Sequence, residues 1–267
     1  MDLSSITSMR AARSRDDLAL APGESLLAGG SWLFSEPQSA TSGLVDLTTM
    51  GWEPWCIGPA GLSIAATCTI AELLEPPAPA DWTAAPLFRQ CAEAFLMSFK
   101  IWNTATVGGN LCLALPAGAM ISLATALDAS CVVWTPDGGE RHEPVSSFVR
   151  GAGRTSLAEG EVLRSVELPI GALQGRTAFR TIALTPLGRS SAVVIGRLDP
   201  DERLTLAVTA ATTRPHVFRF GHPPTDDEVQ DALRTIEDWY SDAHGAPDWR
   251  AAMTHQLAYE VCEELKP

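Results

Sequence analysis

ATVGGNLC, residues 105–112, contains the glycine pair Gly108-Gly109 two residues after Thr106. Glycine has no Cβ, so a glycine pair lets the backbone approach a ligand closely and turn its N–H groups towards an anion. The Thr106 hydroxyl adds a further hydrogen-bond donor. Taken alone, the stretch predicts either an anion-binding loop or a tight turn, because glycine pairs are common.

A second glycine pair occurs in AGGSWL, residues 28–33, directly after the apolar Leu26-Leu27. Ser31 stands beside this pair as Thr106 stands beside the other. Two such loops in one chain predict a pyrophosphate cradled between them. Two unrelated tight turns remain the alternative at this stage.

Composition narrows the class of protein. The 267 residues carry 32 acidic and 19 basic side chains, a formal net charge of −13, and 46% of them are hydrophobic. A globular protein is expected, and the acidic balance argues against a nucleic-acid-binding surface. The N-terminal residues lack an apolar signal segment, which favours a cytoplasmic location.

Metal and membrane sites are not indicated. The six cysteines never form a CxxC pair and the five histidines lack ligand spacing, so no metal site is expected within this chain. Residues 101–127 carry no charge, but glycine, asparagine and proline interrupt them. This run predicts a buried loop and helix and no transmembrane segment.

Short apolar runs separated by turn residues predict strands, and helical spacing predicts helices. A helix beginning at Pro86 is expected to bury one face, formed by Leu87, Cys91, Phe95, Leu96 and Phe99. Beyond Gly171, three or four strands precede helices that start at Thr225 and Pro247. This order predicts a small α+β domain at the C-terminus.

Four stretches in this order and spacing resemble the FAD-binding subunit of the molybdenum hydroxylase (xanthine dehydrogenase/carbon monoxide dehydrogenase) family: AGGSWL, LVDLTTM, LSIAATCTIAEL and ATVGGNLCLALPAGAMISLATALDA. The resemblance continues through residues 160–169 and 242–250, and so covers nearly the whole chain. It implies an α+β fold: a vanillyl-alcohol-oxidase (PCMH)-type FAD-binding domain over residues 1–170, with subdomains of about 1–52 and 53–170. A C-terminal α+β domain over residues 171–267 would follow.

The same resemblance implies a set of cofactor-binding residues, with FAD between the two subdomains. A first pyrophosphate loop is expected at Ala28, Gly29, Gly30, Ser31, Trp32 and Leu33, and a second at Ala105, Thr106, Gly108, Gly109 and Asn110. Leu163 matches a position that packs on the flavin side. Arg180 stands where many relatives have a lysine near the flavin.

Two positions depart from the family pattern. Leu113 replaces a residue that is usually Asn or Thr, and Ala119 replaces an Asp that contacts the ribose–adenine side of the cofactor. Each lost hydrogen bond corresponds to about 0.5–1.5 kcal/mol, up to roughly tenfold in affinity. We therefore expect weakened FAD binding, and we expect restoring the Asp at position 119 either to tighten it or, if the helix has repacked, to destabilise the fold.

The resemblance implies an electron-transfer flavoprotein, an oxidoreductase subunit that holds FAD non-covalently. A molybdenum-cofactor subunit and a [2Fe-2S] subunit would supply electrons, and NAD, a quinone or dioxygen would accept them. Two alternatives remain open: a stand-alone FAD-dependent oxidoreductase acting on a small molecule, and a non-catalytic interaction protein that has lost the cofactor.

Overall fold

The computed structural model describes residues 4–76 and 78–266. Its first sheet is a small parallel sheet near the N-terminus. Three strands form it: β1 (Ser8–Ala11), β2 (Glu24–Leu27) and β3 (Gly43–Asp46). The strand order is β1-β3-β2, so β2 is an edge strand of this sheet. The stretch AGGSWL begins directly after β2, at that edge.

An antiparallel sheet of five strands forms the centre of the following region. Its strands are β4 (Trp55–Gly58), β5 (Gly61–Ala65), β6 (Ser130–Trp134), β7 (Glu140–Pro144) and β10 (Val162–Pro169), and the hairpin of β8 (Val149–Gly151) and β9 (Arg154–Thr155) lies between β7 and β10 in sequence. The order is β4-β5-β10-β6-β7, which places the late strand β10 in the middle. Leu62, Ile64, Val166 and Leu168 face the main hydrophobic core from this sheet.

Helices cover the core face of this sheet. In residues 4–76 and 78–175 the α-helices are α1 (Ile70–Leu73), α2 (Pro86–Ala94), α3 (Phe99–Trp102), α4 (Val107–Leu113), α5 (Ala119–Ala126), α6 (Val145–Phe148) and α7 (Ile170–Leu173). The run 101–127 thus forms helices α4 and α5 with a loop between them, and every residue of α5 is buried. Among the described residues, no helix is long and apolar enough to cross a membrane.

The C-terminal region is an antiparallel sheet with two helices. The elements are β11 (Arg176–Ile182), β12 (Ala192–Leu198), β13 (Leu204–Thr209), β14 (His216–Phe220), α8 (Asp226–Leu233) and α9 (Pro247–Leu265), and the strands run in sequence order across the sheet. One face of β12 packs into the main core through Val193 and Ile195, and the other packs against α9 through Val194. Both central strands are therefore buried on both faces.

Helix α5 packs against helices α2, α4 and α6 and against strands β12 and β13 of the C-terminal sheet. Ser122 on α5 shares a hydrogen bond of 2.6 Å with Thr209 on β13, and the Ala210 N–H donates to the Pro116 carbonyl at 2.9 Å. Arg197 on β12 reaches back to the Ala126 carbonyl and to Asp128. The predicted domain boundary at residues 170–171 stays a prediction, because the two regions share this buried helix.

The expected helix from Pro86 is shorter than its apolar spacing indicated. Helix α2 ends at Ala94, and Leu96 adopts a left-handed conformation with φ of 52°. The break turns Leu96 and Phe99 outwards, where they are 48% and 73% exposed. Their assignment to a buried face was therefore wrong: spacing indicates a helix only while the backbone continues it.

Candidate functional site

The two glycine stretches line one cavity of about 750 Å³. Of the residues expected to bind the cofactor, those at the cavity wall are Ala28, Gly29, Gly30, Ser31, Trp32, Leu33, Ala105, Thr106, Gly108, Gly109, Asn110 and Leu163. Residues 28–33 follow β2, residues 105–110 lead into and begin α4, and Leu163 lies on the central strand β10. The structure thus brings together residues more than 130 positions apart in the sequence.

The two stretches touch each other through Gly29. A Cβ built on Gly29 would lie 1.5 Å from the Thr104 carbonyl oxygen and 2.5 Å from its carbon. No side chain fits between these backbones, so glycine at this position allows the loops to meet. Gly108 allows a similar close approach between the second loop and Ala66, because a Cβ on Gly108 would lie 2.6 Å from the Ala66 carbonyl oxygen.

The first loop offers backbone donors to the cavity. The Phe34 N–H donates to the Gly30 carbonyl at 2.8 Å, so a helical turn starts at Gly30, whose φ is +68°. Within residues 4–76 and 78–266, the N–H groups of residues 31–33 find no acceptor. Unpaired N–H groups in a first helical turn are favourable partners for an anion.

The second loop differs from expectation, because its N–H groups are already used. Those of residues 107–110 donate to the carbonyls of Cys68 and Ala66, to Thr106 Oγ1 and to the Thr106 carbonyl, at 2.8, 2.9, 3.0 and 3.0 Å. Thr106 caps helix α4, because its Oγ1 accepts from the Gly109 N–H. What the loop provides is close approach: a Cβ on Gly109 would meet only Thr106 Oγ1 within 4 Å, at 2.7 Å.

Asn110 uses its side chain within the protein. Its Oδ1 accepts a hydrogen bond of 3.0 Å from the Met120 N–H, in the first turn of α5. Asn110 also lines the cavity, together with Ala117 and Gly118 from the segment that leads into α5. One wall of the cavity is therefore joined to the start of this buried helix.

Glu161 is the one carboxylate among the described lining residues, and Arg141 balances its charge. Arg141 donates to both oxygens of Glu161 at 2.7 and 2.6 Å, and the Ala158 N–H donates to the same side chain at 2.8 Å. The hydrogen bonds from Arg141 hold the pKa of Glu161 below its usual value. Glu161 therefore stays ionised at neutral pH and fixes the segment that brings Leu157 to the cavity wall.

Arg180 lies elsewhere. Its guanidinium binds Glu260 at 3.2 Å and Glu264 at 2.6 Å on helix α9, and it is not among the residues that line the cavity. Its expected place near the flavin stays a prediction, and the sequence does not show that β11 turns this side chain towards α9. The one cationic side chain among the described lining residues is Arg189, in the loop between β11 and β12.

Other lining residues were not expected from the sequence. Phe95, Met97 and Ile101 enter the wall because α2 ends early, and Leu157 and Glu161 enter it through the segment before β10. No motif in the sequence marks them. Of the two departures from the family pattern, Leu113 lies at the cavity wall, whereas Ala119 is 4% exposed within the main core and does not line the cavity.

Comparison with known proteins gives the family of this chain. Residues 6–171 match the family described as the FAD binding domain in molybdopterin dehydrogenase. Over 84 residues the chain is 36% identical to the caffeine dehydrogenase subunit beta of Pseudomonas sp. (strain CBB1), an alignment covering 32% of this chain and 28% of that protein.

Solved structures share the fold over nearly the whole chain. Quinoline 2-oxidoreductase from Pseudomonas putida 86 matches with a TM-score of 0.81 and 23% identity, covering 99% of this chain and 98% of that chain. Reconstituted CO dehydrogenase from Oligotropha carboxidovorans matches with a TM-score of 0.80 and 21% identity, covering 98% of each chain.

The fold and the glycine-lined cavity thus define a flavin-binding protein of mixed helix and sheet structure, and the predicted α+β fold is confirmed. The chain belongs to the family of FAD-binding domains in molybdopterin dehydrogenases. Members of this family are flavoprotein components of oxidoreductases. The volume of the cavity suits a small-molecule cofactor, since such sites span roughly 300–1,000 Å³. One wall has N–H groups that find no acceptor among the described residues, and another has Gly109.

Proposed function

We propose that this chain holds FAD non-covalently in the glycine-lined cavity and serves as the electron-transfer subunit of a molybdenum hydroxylase complex. Electrons would come from [2Fe-2S] clusters in a partner chain and leave to NAD, a quinone or dioxygen. The observation that carries the proposal is the meeting of both glycine stretches at one cavity, where Gly29 contacts the Thr104 carbonyl directly.

The residues of this chain would bind and orient the cofactor. FAD supplies the redox chemistry itself, accepting and donating one or two electrons. The N–H groups of residues 31–33 are suited to hold its diphosphate, and Gly109 leaves room for that group to approach α4. Leu163, 2% exposed on the central strand, offers an apolar surface, and the Arg141–Glu161 pair holds the adjoining wall.

Non-covalent binding is expected from the residues at hand. Tethered flavins are bound through histidine or cysteine, and neither occurs in residues 28–35 or 104–110. Cys112 lies at the cavity wall, beyond residues 104–110. Acid precipitation should therefore release the flavin into the supernatant, and flavin in the pellet would contradict this part of the proposal.

We place the molybdenum cofactor and the [2Fe-2S] clusters on partner subunits. The family is named for molybdopterin dehydrogenases, and one structural relative is a carbon monoxide dehydrogenase from Hydrogenophaga pseudoflava described as lacking the Mo-pyranopterin moiety of its cofactor. In the part of the chain that the structure describes, no group of three or more His, Cys, Asp or Glu side chains could hold a metal ion. All six cysteines are free thiols, which is consistent with the reducing cytoplasm as the location.

The test is purification of the tagged chain from its native cells. We expect a yellow protein with a flavin spectrum, co-purifying with a molybdenum-containing chain and an iron–sulfur chain. A yellow protein that turns over a small molecule alone would favour a stand-alone flavoenzyme. A colourless protein that cannot be reconstituted with FAD would refute the proposal.

A further inference from the structure

Helix α5 lacks a cap of its own. Its N-cap position is Gly118, which has no side chain to accept the free N–H groups of the first turn. Helices usually meet this need with Ser, Thr, Asp or Asn at the N-cap. Here the acceptor is Asn110 Oδ1, which lies eight positions earlier on α4 and bonds the Met120 N–H at 3.0 Å.

The position of α5 matters for the cavity. Ala117 and Gly118 belong to the cavity wall, and the helix that they lead into is buried throughout. The other side of α5 is fixed by the C-terminal sheet, through Ser122 and Thr209 at 2.6 Å. The start of the helix therefore connects the cofactor cavity with the C-terminal sheet. Two side chains bond the backbone of this start: Asn110 accepts from the Met120 N–H, and Ser122 Oγ donates to the Gly118 carbonyl at 3.3 Å.

We propose that Asn110 is a positioning residue: by capping α5 from outside, it keeps the wall formed by Ala117 and Gly118 in the geometry that FAD binding requires. The part of this inference that concerns FAD binding rests on the proposed function. In this proposal Asn110 Oδ1 bonds the Met120 N–H and not FAD, so Asn110 affects FAD binding through the position of α5.

The chain offers a direct test of that route, because a cap can be restored at Gly118 itself. In Gly118→Ser the hydroxyl would sit at the N-cap, where it can accept from the second or third N–H of the helix. A Cβ there would meet Ile121 Cδ1 at 2.7 Å, the mobile end of a long side chain, and the Leu115 carbonyl oxygen at 3.0 Å. The single variant Gly118→Ser measures the cost of this crowding and is the reference for the double variant.

The experiment compares four proteins: wild type, Asn110→Ala, Gly118→Ser and the double variant. For each, FAD affinity is measured by fluorescence titration of the cofactor-free protein, and the melting temperature is measured without FAD. Loss of a cap corresponds to roughly a two- to thirtyfold change in an equilibrium constant. We expect Asn110→Ala to weaken FAD binding by up to that factor and to lower the melting temperature by about 1–8 °C.

The double variant separates the two routes. We expect it to recover both the melting temperature and the FAD affinity of Gly118→Ser. Recovery of the melting temperature without recovery of affinity would show that Asn110 acts on FAD directly, and would overturn the proposal. So would an Asn110→Ala variant that keeps the wild-type melting temperature.

Two outcomes remain to be distinguished. If wild type binds no FAD, the proposed function fails, while the melting temperatures still report whether Asn110 caps α5. If Asn110→Ala does not fold, Asn110→Asp is the second variant: it keeps an acceptor and places a negative charge at a helix N-terminus, where it is favoured. We expect Asn110→Asp to keep the wild-type melting temperature within about 2 °C, and a larger fall would overturn the capping role.

Discussion

Gly109→Val tests whether the second glycine stretch faces the cofactor. Gly109 does not adopt a positive φ, so the argument concerns space and not backbone strain. Outside its own helix, a Cβ at this position meets only Thr106 Oγ1 within 4 Å, and the residue lines the cavity. The isopropyl group of valine would therefore enter the space that we assign to the cofactor diphosphate.

The expected cost to the fold is modest. Valine has a slightly better helix propensity than glycine, by a few tenths of a kcal/mol. Against this, the contact of 2.7 Å with Thr106 Oγ1 disturbs the cap of α4, and a lost cap costs about 0.5–2 kcal/mol. For a chain of this size the melting temperature should fall by no more than roughly 8 °C. FAD affinity should fall more than about 100-fold, equivalent to about 2.7 kcal/mol.

The assay is flavin content after reconstitution, together with the melting temperature of the cofactor-free protein. Gly171→Val is the matched control: Gly171 has a non-positive φ, no neighbour within 4 Å of its Cβ position and no place at the cavity wall. It should keep wild-type flavin content. If Gly109→Val also keeps it, the diphosphate does not lie against this loop and the assignment of the cavity is wrong.

Four further outcomes are expected. Gly29→Ala should lower both stability and flavin content, because its Cβ overlaps a backbone carbonyl at 1.5 Å. Glu161→Gln should lower the melting temperature at pH 7, with the difference from wild type shrinking as the pH falls below about 4.5, since the pKa of this carboxyl is lowered in the folded protein. Cys112 and Cys56 are both exposed, but only Cys112 is among the described residues that line the cavity, so FAD should slow alkylation of Cys112 and not of Cys56. Ala119→Asp should cost at least about 2 kcal/mol of stability without tightening FAD binding, because it buries an unpaired carboxylate.

Each of these has a clear contrary result. Wild-type stability in Gly29→Ala would show that the two loops do not touch. If the difference in melting temperature between Glu161→Gln and wild type stays constant down to pH 3, the Arg141–Glu161 ion pair does not stabilise the protein. Equal protection of Cys112 and Cys56 by FAD would mean that the protection of Cys112 does not come from FAD bound in the cavity. Tighter FAD binding by Ala119→Asp would place residue 119 at the cofactor after all.

Much of the candidate site was accessible from the sequence because its signals are local. Glycine pairs report where the backbone must approach something closely, and capping pairs such as Thr225 and Glu228 report where helices start. The resemblance to the flavin subunits added the order of these signals along the chain. Twelve of the thirteen expected residues line the cavity, and Arg180 is the exception.

The sequence by itself determined which segments could hold a dinucleotide, since a residue type with no side chain is needed wherever two backbones or a ligand and a backbone meet. The tertiary structure decided how those segments are used. Whether an N–H group is free depends on acceptors far away in sequence. The second loop donates two of its N–H groups to the carbonyls of Cys68 and Ala66, whereas the N–H groups of residues 31–33 find no acceptor in the part of the chain that the structure describes. A long-range hydrogen bond leaves no local pattern, and for that reason only the folded chain shows which loop can bind an anion and which only makes room for it.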